Sequence, residues 1–270
     1  MITKTGPVQA GPVSLYVEEQ GAGEPLLLIQ GLGYATWAWR YQTPELAKRF
    51  RVIAFDNRGT GRSEKPPGPY SIEEMADDAA AVLDSRGAGA AHVLRMSMGG
   101  YIAQLLALRQ PGLVRSLVLL VTGPGGPGTL PVPEATREVW IASASLPPPE
   151  FARATMPLSF RPGWADAHPE QFEQLLAARL EFPTPGECWA AQYGACERFY
   201  ADGPPVERIS VPTLVVHGTA DRIVPYENGV ALAGRIPGAR LVTFEGAGHL
   251  AALEEPERLN REVAEFLESV

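Results

Sequence analysis

The sequence has little cysteine and no long apolar segment. Its only cysteines, Cys188 and Cys196, lie eight positions apart, a pattern more typical of two buried thiols in a reducing compartment than of a disulfide. No histidine stands near them with the spacing of zinc ligands. The mainly apolar run at 113–121 is far shorter than the roughly 20 residues that a membrane helix needs. Residues 1–11 show no basic region followed by an apolar run, so we expect no signal peptide, a cytoplasmic location and no membrane association.

The sequence also lacks an excess of positive charge. It has 23 Lys and Arg against 31 Asp and Glu, which gives a net charge of −8 without a long run of one sign. Because a nucleic-acid-binding protein normally presents a basic face, we expect no nucleic-acid partner. Hydrophobic residues make up 45% and charged residues 20% of the 270 residues, values typical of a globular protein large enough for one α/β domain.

Short apolar runs alternate with helical patterns through the first half of the chain. A half-exposed strand is predicted at 13–18, and buried strands are predicted at 25–29, 51–55, 91–94 and 113–121. Helical patterns lie between them, at 44–49, 71–85 and 98–110. The second of these begins with Ser71 and Glu74 at the spacing of a capping box. The alternation predicts the α/β class, with a mostly parallel, doubly wound sheet covered by helices on both faces.

This alternation stops in the middle of the chain. Residues 123–133 are rich in Gly and Pro, and residues 134–202 have a helical pattern with many aromatic side chains and no strand-like run. Strand patterns return at 213–217 and 240–244, followed by helical patterns at 226–235 and 256–269. We therefore predict one α/β core in two parts, 1–123 and 206–270, interrupted by a helical insertion at 124–205.

Three polar residues follow directly after predicted strands. Ser97 stands where a strand ends and a helix begins, a sharp turn that projects a side chain at the carboxyl edge of the sheet. Gly99 and Gly100 provide the small residues that such a crowded turn needs. Because a serine hydroxyl needs a base to become a nucleophile, His249 after the last predicted strand is the candidate base. Asp221, after the strand before it, is the candidate acceptor that orients the imidazole.

Acyl transfer also needs hydrogen-bond donors for the negative charge that develops on the carbonyl oxygen. The backbone N–H of Met98, next to Ser97, is one candidate donor. The other is the N–H of Leu32, in the loop at 30–33 that follows the strand at 25–29. We predict that these two groups form an oxyanion hole.

Together these segments resemble the α/β-hydrolase fold family from end to end. Gln30-Gly31-Leu32-Gly33 is similar to the family's His-Gly-x-Gly oxyanion loop, and Ser97-Met98-Gly99-Gly100 is similar to its nucleophile elbow. Residues 56–63 are similar to its Asp-x-Arg-Gly-x-Gly-x-Ser turn, and Asp221 and Gly248-His249 complete the chain order Ser, Asp, His. The resemblance implies a serine hydrolase that needs no cofactor or metal, with a lid domain at 124–205.

Two positions depart from the family pattern. Gln30 stands where the family usually has His, and glutamine retains the capacity for side-chain hydrogen bonding. Arg95 stands where the usual Gly-x-Ser-x-Gly elbow has its first glycine. A long cationic side chain at a packed elbow should clash or force a rearrangement. We therefore expect Arg95 to alter the elbow geometry and to lower activity or change specificity.

Most aromatic residues of the helical insertion should belong to the core, but a minority of the chain's aromatics should line a substrate pocket: Tyr34, Trp37, Trp39, Trp140, Trp164 and Trp189. Such a pocket favours a carboxylic-ester hydrolase for small to medium apolar groups. Enol-lactone hydrolysis, carbon–carbon bond hydrolysis and a cofactor-free haloperoxidase-like activity use the same triad and stay open. So does a non-catalytic ligand-binding role, which only Arg95 favours. We expect a small-molecule ester or lactone as partner, and a monomer or homodimer.

Overall fold

The computed structural model describes residues 4–270, so residues 1–3 of the predicted core lie outside the described residues. Eight strands form one sheet: β1 Lys4–Ala10, β2 Val13–Gln20, β3 Pro25–Ile29, β4 Arg51–Phe55, β5 Ala91–Met96, β6 Val114–Leu120, β7 Thr213–Gly218 and β8 Arg240–Phe244. Their order across the sheet is β1-β2-β4-β3-β5-β6-β7-β8. Strand β2 is antiparallel to both of its neighbours, and all other pairs are parallel. The mostly parallel sheet confirms the predicted α/β class.

Helices accompany the sheet on both sides. Their bounds are α1 Gln42–Leu46, α2 Ile72–Ser85, α3 Met98–Arg109, α4 Glu134–Ser143, α5 Pro148–Thr155, α6 Trp164–Ala167, α7 Pro169–Glu181, α8 Gly186–Asp202, α9 Tyr226–Arg235, α10 Ala251–Glu254 and α11 Pro256–Glu268. Helix α2 has the predicted capping box, because the Glu74 N–H donates to Ser71 Oγ at 3.1 Å and the Ser71 N–H donates to Glu74 Oε2 at 2.9 Å. Within residues 4–270, every helix is too short or too polar to span a bilayer.

The central strands are apolar on both faces because each face packs against helices. Along β3, Leu27 and Ile29 belong to one apolar layer, while Leu26 and Leu28 belong to the other. All four side chains are completely buried. The first layer includes α2 and α3, and the second includes α11. This double cover holds the carboxyl ends of β3, β5, β6 and β7 in register with one another.

Strand β1 was not predicted from the sequence, which was interpreted there as a polar segment containing Gly and Pro. Only Val8 and Ala10 of this strand are buried, so its apolar alternation is too short to indicate a strand. Its sole partner is β2, with Val8 opposite Leu15. A strand at the edge of a sheet tolerates Pro7, because one side of its backbone needs no partner.

The insertion at 124–205 lies between β6 and β7, and its described secondary structure is helical, from α4 to α8. Helix α8 packs on α2 and α3. At that contact the Phe199 ring stacks on Tyr101 of α3, with ring centroids 4.4 Å apart. Because Tyr101 lies in the first turn of α3, this contact brings the insertion to the carboxyl edge of the sheet. The division into a core and a lid stays a prediction, and we refer to residues 124–205 as the helical insertion.

Candidate active site

Ser97 occupies the turn between β5 and α3 with a backbone that few residues adopt. Its φ is 54° and its ψ is −122°, a combination that costs about 1–3 kcal/mol for a residue with a side chain. The turn is tight because a Cβ on Gly99 would lie 2.6 Å from the Ile29 carbonyl oxygen, and a Cβ on Gly100 would lie 2.4 Å from Thr122 Oγ1. These close approaches explain why both positions are glycine. The turn holds the Ser97 hydroxyl at the carboxyl edge of the sheet.

Arg95 is accommodated at this elbow without the expected rearrangement. The residue is completely buried, and Ser97 keeps the elbow conformation next to it. Arg95 Nη1 donates to the carbonyl oxygens of Val93 and Val118. Its Nε and Nη2 have no hydrogen-bond partner, and no carboxylate within the described residues forms an ion pair with it. Burial therefore lowers the pKa of the Arg95 guanidinium.

Asp221 and His249 meet in the buried space beyond β7 and β8. His249 Nδ1 lies 2.8 Å from Asp221 Oδ2. The other carboxylate oxygen, Asp221 Oδ1, accepts hydrogen bonds from the N–H groups of Ile223 at 2.8 Å and Val224 at 2.9 Å. Burial favours the neutral form of Asp221, but the interactions with the neighbouring histidines outweigh it and hold the pKa of its carboxyl well below the usual range. The carboxylate is therefore ionised and fixed in orientation.

A second histidine, His217, contacts the same carboxylate. His217 Nε2 lies 3.3 Å from Asp221 Oδ2 and 3.0 Å from the Val224 carbonyl oxygen. The ring is completely buried, and a Cβ on Gly229 would lie only 2.3 Å from its Nδ1. Its place at the end of the strand pattern at 213–217 did not indicate this contact. The spacing could have indicated it: His217 stands four positions before Asp221, and the turn between them brings the two side chains together.

The two predicted oxyanion donors flank Ser97. A Cβ on Gly31 would lie 3.0 Å from the Ser97 Cβ, so the loop at 30–33 passes directly beside the serine. Within residues 4–270, neither the Leu32 N–H nor the Met98 N–H donates to a protein acceptor. Gln30, which replaces the family's usual histidine, directs its Oε1 back to the Gly31 N–H at 3.3 Å. The loop therefore presents an unused N–H group next to the serine, as an oxyanion hole requires.

One cavity joins these groups. It has a volume of about 730 Å³ including its open mouth, and Ser97, His249 and Leu32 all line it. In the described part of the chain, no hydrogen bond joins the Ser97 hydroxyl to the imidazole; such bonds are often long in an enzyme without its substrate. Its mainly apolar lining, with a few polar groups beside the serine, is typical of a site for a small molecule.

Of the aromatic residues predicted for the pocket, Tyr34, Trp140 and Trp189 line the cavity, whereas three others do not. Trp37 is half-buried on the 3₁₀ turn at 36–39 and packs against the apolar core layer. Trp39 is completely buried in that layer. Trp164 stacks on Phe160, with ring centroids 4.1 Å apart, and is 3% exposed. These three therefore lie outside the cavity lining, with Trp39 and Trp164 buried in the apolar core layer and Trp37 packed against it.

The cavity also has polar lining residues that the sequence did not indicate. Tyr101 Oη donates to Tyr200 Oη at 2.8 Å, and burial raises the pKa of both hydroxyls. Arg179 of α7 lines the cavity with its guanidinium carbon 5.0 Å from the centre of the Tyr34 ring. Arg179 forms no ion pair with a described residue. Glu197 also lines the cavity, and its side chain is exposed. Periodicity could not have indicated these residues, because they lie on amphipathic helices whose packing sets which side faces the cavity.

The residues described form no cluster of three or more His, Cys, Asp or Glu side chains that could hold a metal ion. Cys188 and Cys196 are buried, separate thiols on α8. Burial raises the pKa of the Cys196 thiol, which keeps it in its neutral, weakly nucleophilic form. The chemistry available in the cavity is therefore that of a serine beside an imidazole–carboxylate pair.

A mostly parallel sheet that carries a serine in a strained turn between a strand and a helix defines an α/β hydrolase. The chain belongs to this family, since a sequence profile described as the alpha/beta hydrolase fold matches residues 24–256.

Similar proteins agree with this assignment. A protein of Azorhizobium caulinodans, provisionally named carbamate hydrolase RutD, is 35% identical over 259 residues, which cover 95% of this chain and 96% of that protein. The 2-hydroxymuconate semialdehyde hydrolase of Pseudomonas sp. strain CF600 is 33% identical over 279 residues, covering 96% and 92%. The structure of a thermophilic esterase from Thermogutta terrifontis matches with a TM-score of 0.83 at 31% identity and covers 99% of each chain. These relatives support hydrolase activity, and their names differ in the substrate.

Proposed function

We propose that this chain is a serine hydrolase that cleaves carboxylic esters of small to medium, apolar groups through an acyl-enzyme on Ser97. In this proposal His249 is the general base and acid, and Asp221 fixes its tautomer and stabilises its protonated form. The N–H groups of Leu32 and Met98 bind the oxyanion. The observation that carries the proposal is the 2.8 Å bond between His249 Nδ1 and Asp221 Oδ2, formed beside a cavity that Ser97 also lines.

The reaction follows from this arrangement. His249 Nε2 accepts the proton of the Ser97 hydroxyl while Oγ attacks the ester carbonyl, and the carbonyl oxygen becomes an oxyanion at the Leu32 and Met98 N–H groups. Collapse of this intermediate breaks the bond to the alcohol, which leaves with the proton from His249. Water, deprotonated by His249, then attacks the acyl-enzyme and releases the acid and the free serine.

The lining of the cavity supports an apolar substrate of modest size. Trp140, Phe151 and Trp189 form an aromatic part of the cavity lining. The Phe151 and Trp189 rings lie edge to face with centroids 5.5 Å apart, and Trp140 meets Trp189 in the same way at 5.6 Å. Rings in such contact form a continuous apolar surface that favours an alkyl or aryl group.

The test is hydrolysis of p-nitrophenyl butyrate by the parent protein and by Ser97→Ala. We expect kcat to fall by about 10⁶-fold, since removal of the nucleophile of a triad has an effect of this size. Labelling by a fluorophosphonate probe should disappear in the same variant. Ser85→Ala, which changes an exposed serine on α2, is the control and should retain both.

Turnover by Ser97→Ala at the parent's rate would contradict the proposed nucleophile. A parent protein that shows neither turnover nor labelling would favour the non-catalytic, ligand-binding role.

One observation favours a second candidate, a hydrolase of carboxylate-bearing substrates such as the vinylogous diketones produced by ring cleavage. Arg179, which forms no ion pair with a described residue, places a cation in a lining rich in aromatic side chains. A guanidinium binds a carboxylate through two parallel hydrogen bonds. If this candidate is correct, Arg179→Met will lower kcat/KM for a diketone acid much more than for its methyl ester. An equal effect on both would exclude it and leave the apolar ester.

A further inference from the structure

A second cavity lies within the helical insertion, and we call it the outer cavity. Its lining comes entirely from residues 144–190, on α5, α7, α8 and the segments that join them. It has a volume of about 840 Å³ including its opening to solvent. No residue of the sheet contributes to it, so it is distinct from the candidate active-site cavity, which we call the inner cavity.

The two cavities share a wall. Phe151, Arg179 and Trp189 line both of them. All three are half-buried, and the edge-to-face contact of the Phe151 and Trp189 rings forms part of the partition. A partition that consists of side-chain contacts can open by rotation of side chains alone, without movement of the helices.

The outer cavity is mainly apolar, and its polar side chains are those of the shared Arg179 and of Thr184. Leu146, Pro148, Leu180 and Pro183 contribute to its surface. Leu146 is 41% exposed, and two further large apolar side chains of the insertion, Ile141 and Phe182, are exposed by 70% and 41%. Apolar side chains left in water near a cavity are typical of a site that binds an apolar ligand.

We propose that the outer cavity is a distal subsite that holds the linear alkyl chain of an elongated ester whose carbonyl lies at Ser97. The inference rests on the proposed function. The alkyl chain passes between Phe151 and Trp189, so esters too long for the inner cavity are bound across both cavities. The occupant is the acyl chain or the alkyl chain of the alcohol, and substrates that lengthen one or the other distinguish them.

The test fills the outer cavity without touching the inner one. Ala190 lines only the outer cavity, so Ala190→Phe should lower kcat/KM for p-nitrophenyl decanoate or for decyl butyrate at least tenfold and leave p-nitrophenyl acetate unchanged. The control is Ala154→Phe, on the exposed side of α5, which should change none of the three. Phe151→Ala, which removes part of the partition, should raise the ratio of long-chain to short-chain activity.

A loss of equal size for long and short esters, or no loss in either long series, would overturn the distal subsite. Failure of the subsite and failure of the proposed function are separated by a binding experiment. The binding of decanoate and of decanol to Ser97→Ala is measured by the change in tryptophan fluorescence. If the parent hydrolyses no ester but Ala190→Phe still weakens binding of either ligand tenfold, the subsite stands and the esterase proposal fails.

A second, independent observation concerns Gln192 of α8. This side chain is completely buried and bridges two loops at the carboxyl edge of the sheet. Its Oε1 accepts a hydrogen bond from the Gly33 N–H at 2.9 Å, and its Nε2 donates to the Arg58 carbonyl oxygen at 2.8 Å. At the other end of the loop at 30–33, Asn57 Nδ2 donates to the Gln30 carbonyl oxygen at 2.9 Å. The loop that carries the Leu32 N–H is thus held at both ends.

We infer that Gln192 is a positioning residue for the oxyanion hole, supplied by the helical insertion. The inference again rests on the proposed function. Because Gly33 directly follows Leu32, loss of the bond from Gly33 releases the Leu32 N–H from its direction toward Ser97. The effect should therefore fall on the transition state and spare the bound ester, which makes less use of this donor.

The test is Gln192→Met, which keeps the volume and removes both hydrogen bonds. We expect kcat for p-nitrophenyl butyrate to fall about 10- to 100-fold with KM nearly unchanged, and the affinity for a trifluoromethyl ketone, which forms an oxyanion on the serine, to fall in parallel. Gln104→Met is the matched control, since Gln104 is a buried glutamine of α3 that donates to the Gly123 carbonyl instead. It should leave the ketone affinity unchanged.

An equal loss of ketone affinity in both variants, or a rise in KM without a fall in kcat, would assign Gln192 a general structural role and overturn the inference. Amide hydrogen exchange at Tyr34, whose N–H donates to the Gly31 carbonyl oxygen at 3.2 Å across the loop, gives a readout that needs no activity. Faster exchange there in Gln192→Met supports the positioning role even in a protein without turnover, and unchanged exchange contradicts it.

Discussion

The carboxyl edge of the sheet and the helical insertion face the same cavity but are built differently. The edge supplies Ser97, Asp221, His249, Leu32 and Met98, each from the first residues beyond a strand. The insertion supplies much of the remaining lining, from helices whose outer sides are exposed. The ends of β3, β5 and β7 are fixed by parallel ladders on both sides and the end of β8 by its ladder with β7, whereas the insertion depends on side-chain packing. In the proposed function the bond-breaking groups therefore belong to the fold, and we expect the insertion to set which substrate reaches them.

The largest effect expected from a single change at the sheet edge, apart from loss of the serine, comes from Asp221→Asn. The amide offers N–H groups to the imidazole and favours the tautomer that cannot accept the serine proton, so kcat for p-nitrophenyl butyrate should fall about 10⁴-fold. Thermal unfolding measured alongside separates this effect from loss of the fold, because Asp221 also accepts two backbone hydrogen bonds.

Asp84→Asn is the control, since Asp84 is exposed on α2. If Asp221→Asn keeps its fold and more than about a tenth of the parent's kcat, the role of the carboxylate is contradicted, because the general-acid–base contribution of the histidine alone exceeds that factor.

The second prediction concerns Arg95, a destabilising feature of the carboxyl edge. Arg95 is a buried cation that forms no ion pair with a described residue, and the effective penalty for burying an ion is several kcal/mol. Arg95→Gly should therefore raise the free energy of unfolding by about 2 kcal/mol or more, even though glycine in a strand costs about 1 kcal/mol. Arg95→Met separates charge from volume and should recover part of the gain. Urea unfolding of the three proteins measures both effects.

A fall in stability in both Arg95 variants would mean that the two hydrogen bonds of its guanidinium outweigh its desolvation. Activity toward a short-chain ester checks the remaining expectation for this residue. A rate for Arg95→Gly equal to that of the parent would show that Arg95 affects the fold without affecting the chemistry.

The smallest effect tests the insertion. Trp140→Ala should enlarge the inner cavity and raise kcat/KM for bulky acyl groups about tenfold relative to butyrate, a change typical of pocket contacts. The loss of stability should be small because Trp140 is only half-buried. Trp164→Ala is the matched control: this buried tryptophan of the insertion lies outside the cavity, so it should cost about 3–5 kcal/mol without changing the preference. The reverse pattern would contradict the division of roles between edge and insertion.

The same division decides what could be predicted from the sequence. The buried strands and the turns after them have local signals, such as the apolar run of β3 and the glycines after Ser97. These signals were enough to predict the fold and to nominate residues that the structure brings together in one cavity. Strand β1 was missed because only Val8 and Ala10 are buried there. The cavity side of an insertion helix depends on contacts with distant residues, such as Gln192 with Gly33 and Arg58, and no local pattern contains them.

The left-handed backbone of Ser97 has a consequence for the evolution of the chain. Glycine is the one residue that adopts a φ of 54° without penalty, so replacement of this serine by glycine should make the protein harder to unfold while it ends any chemistry at that position. Selection for stability alone would favour glycine at this position. A serine at this position is therefore expected only where its hydroxyl is used, as in the function proposed for Ser97.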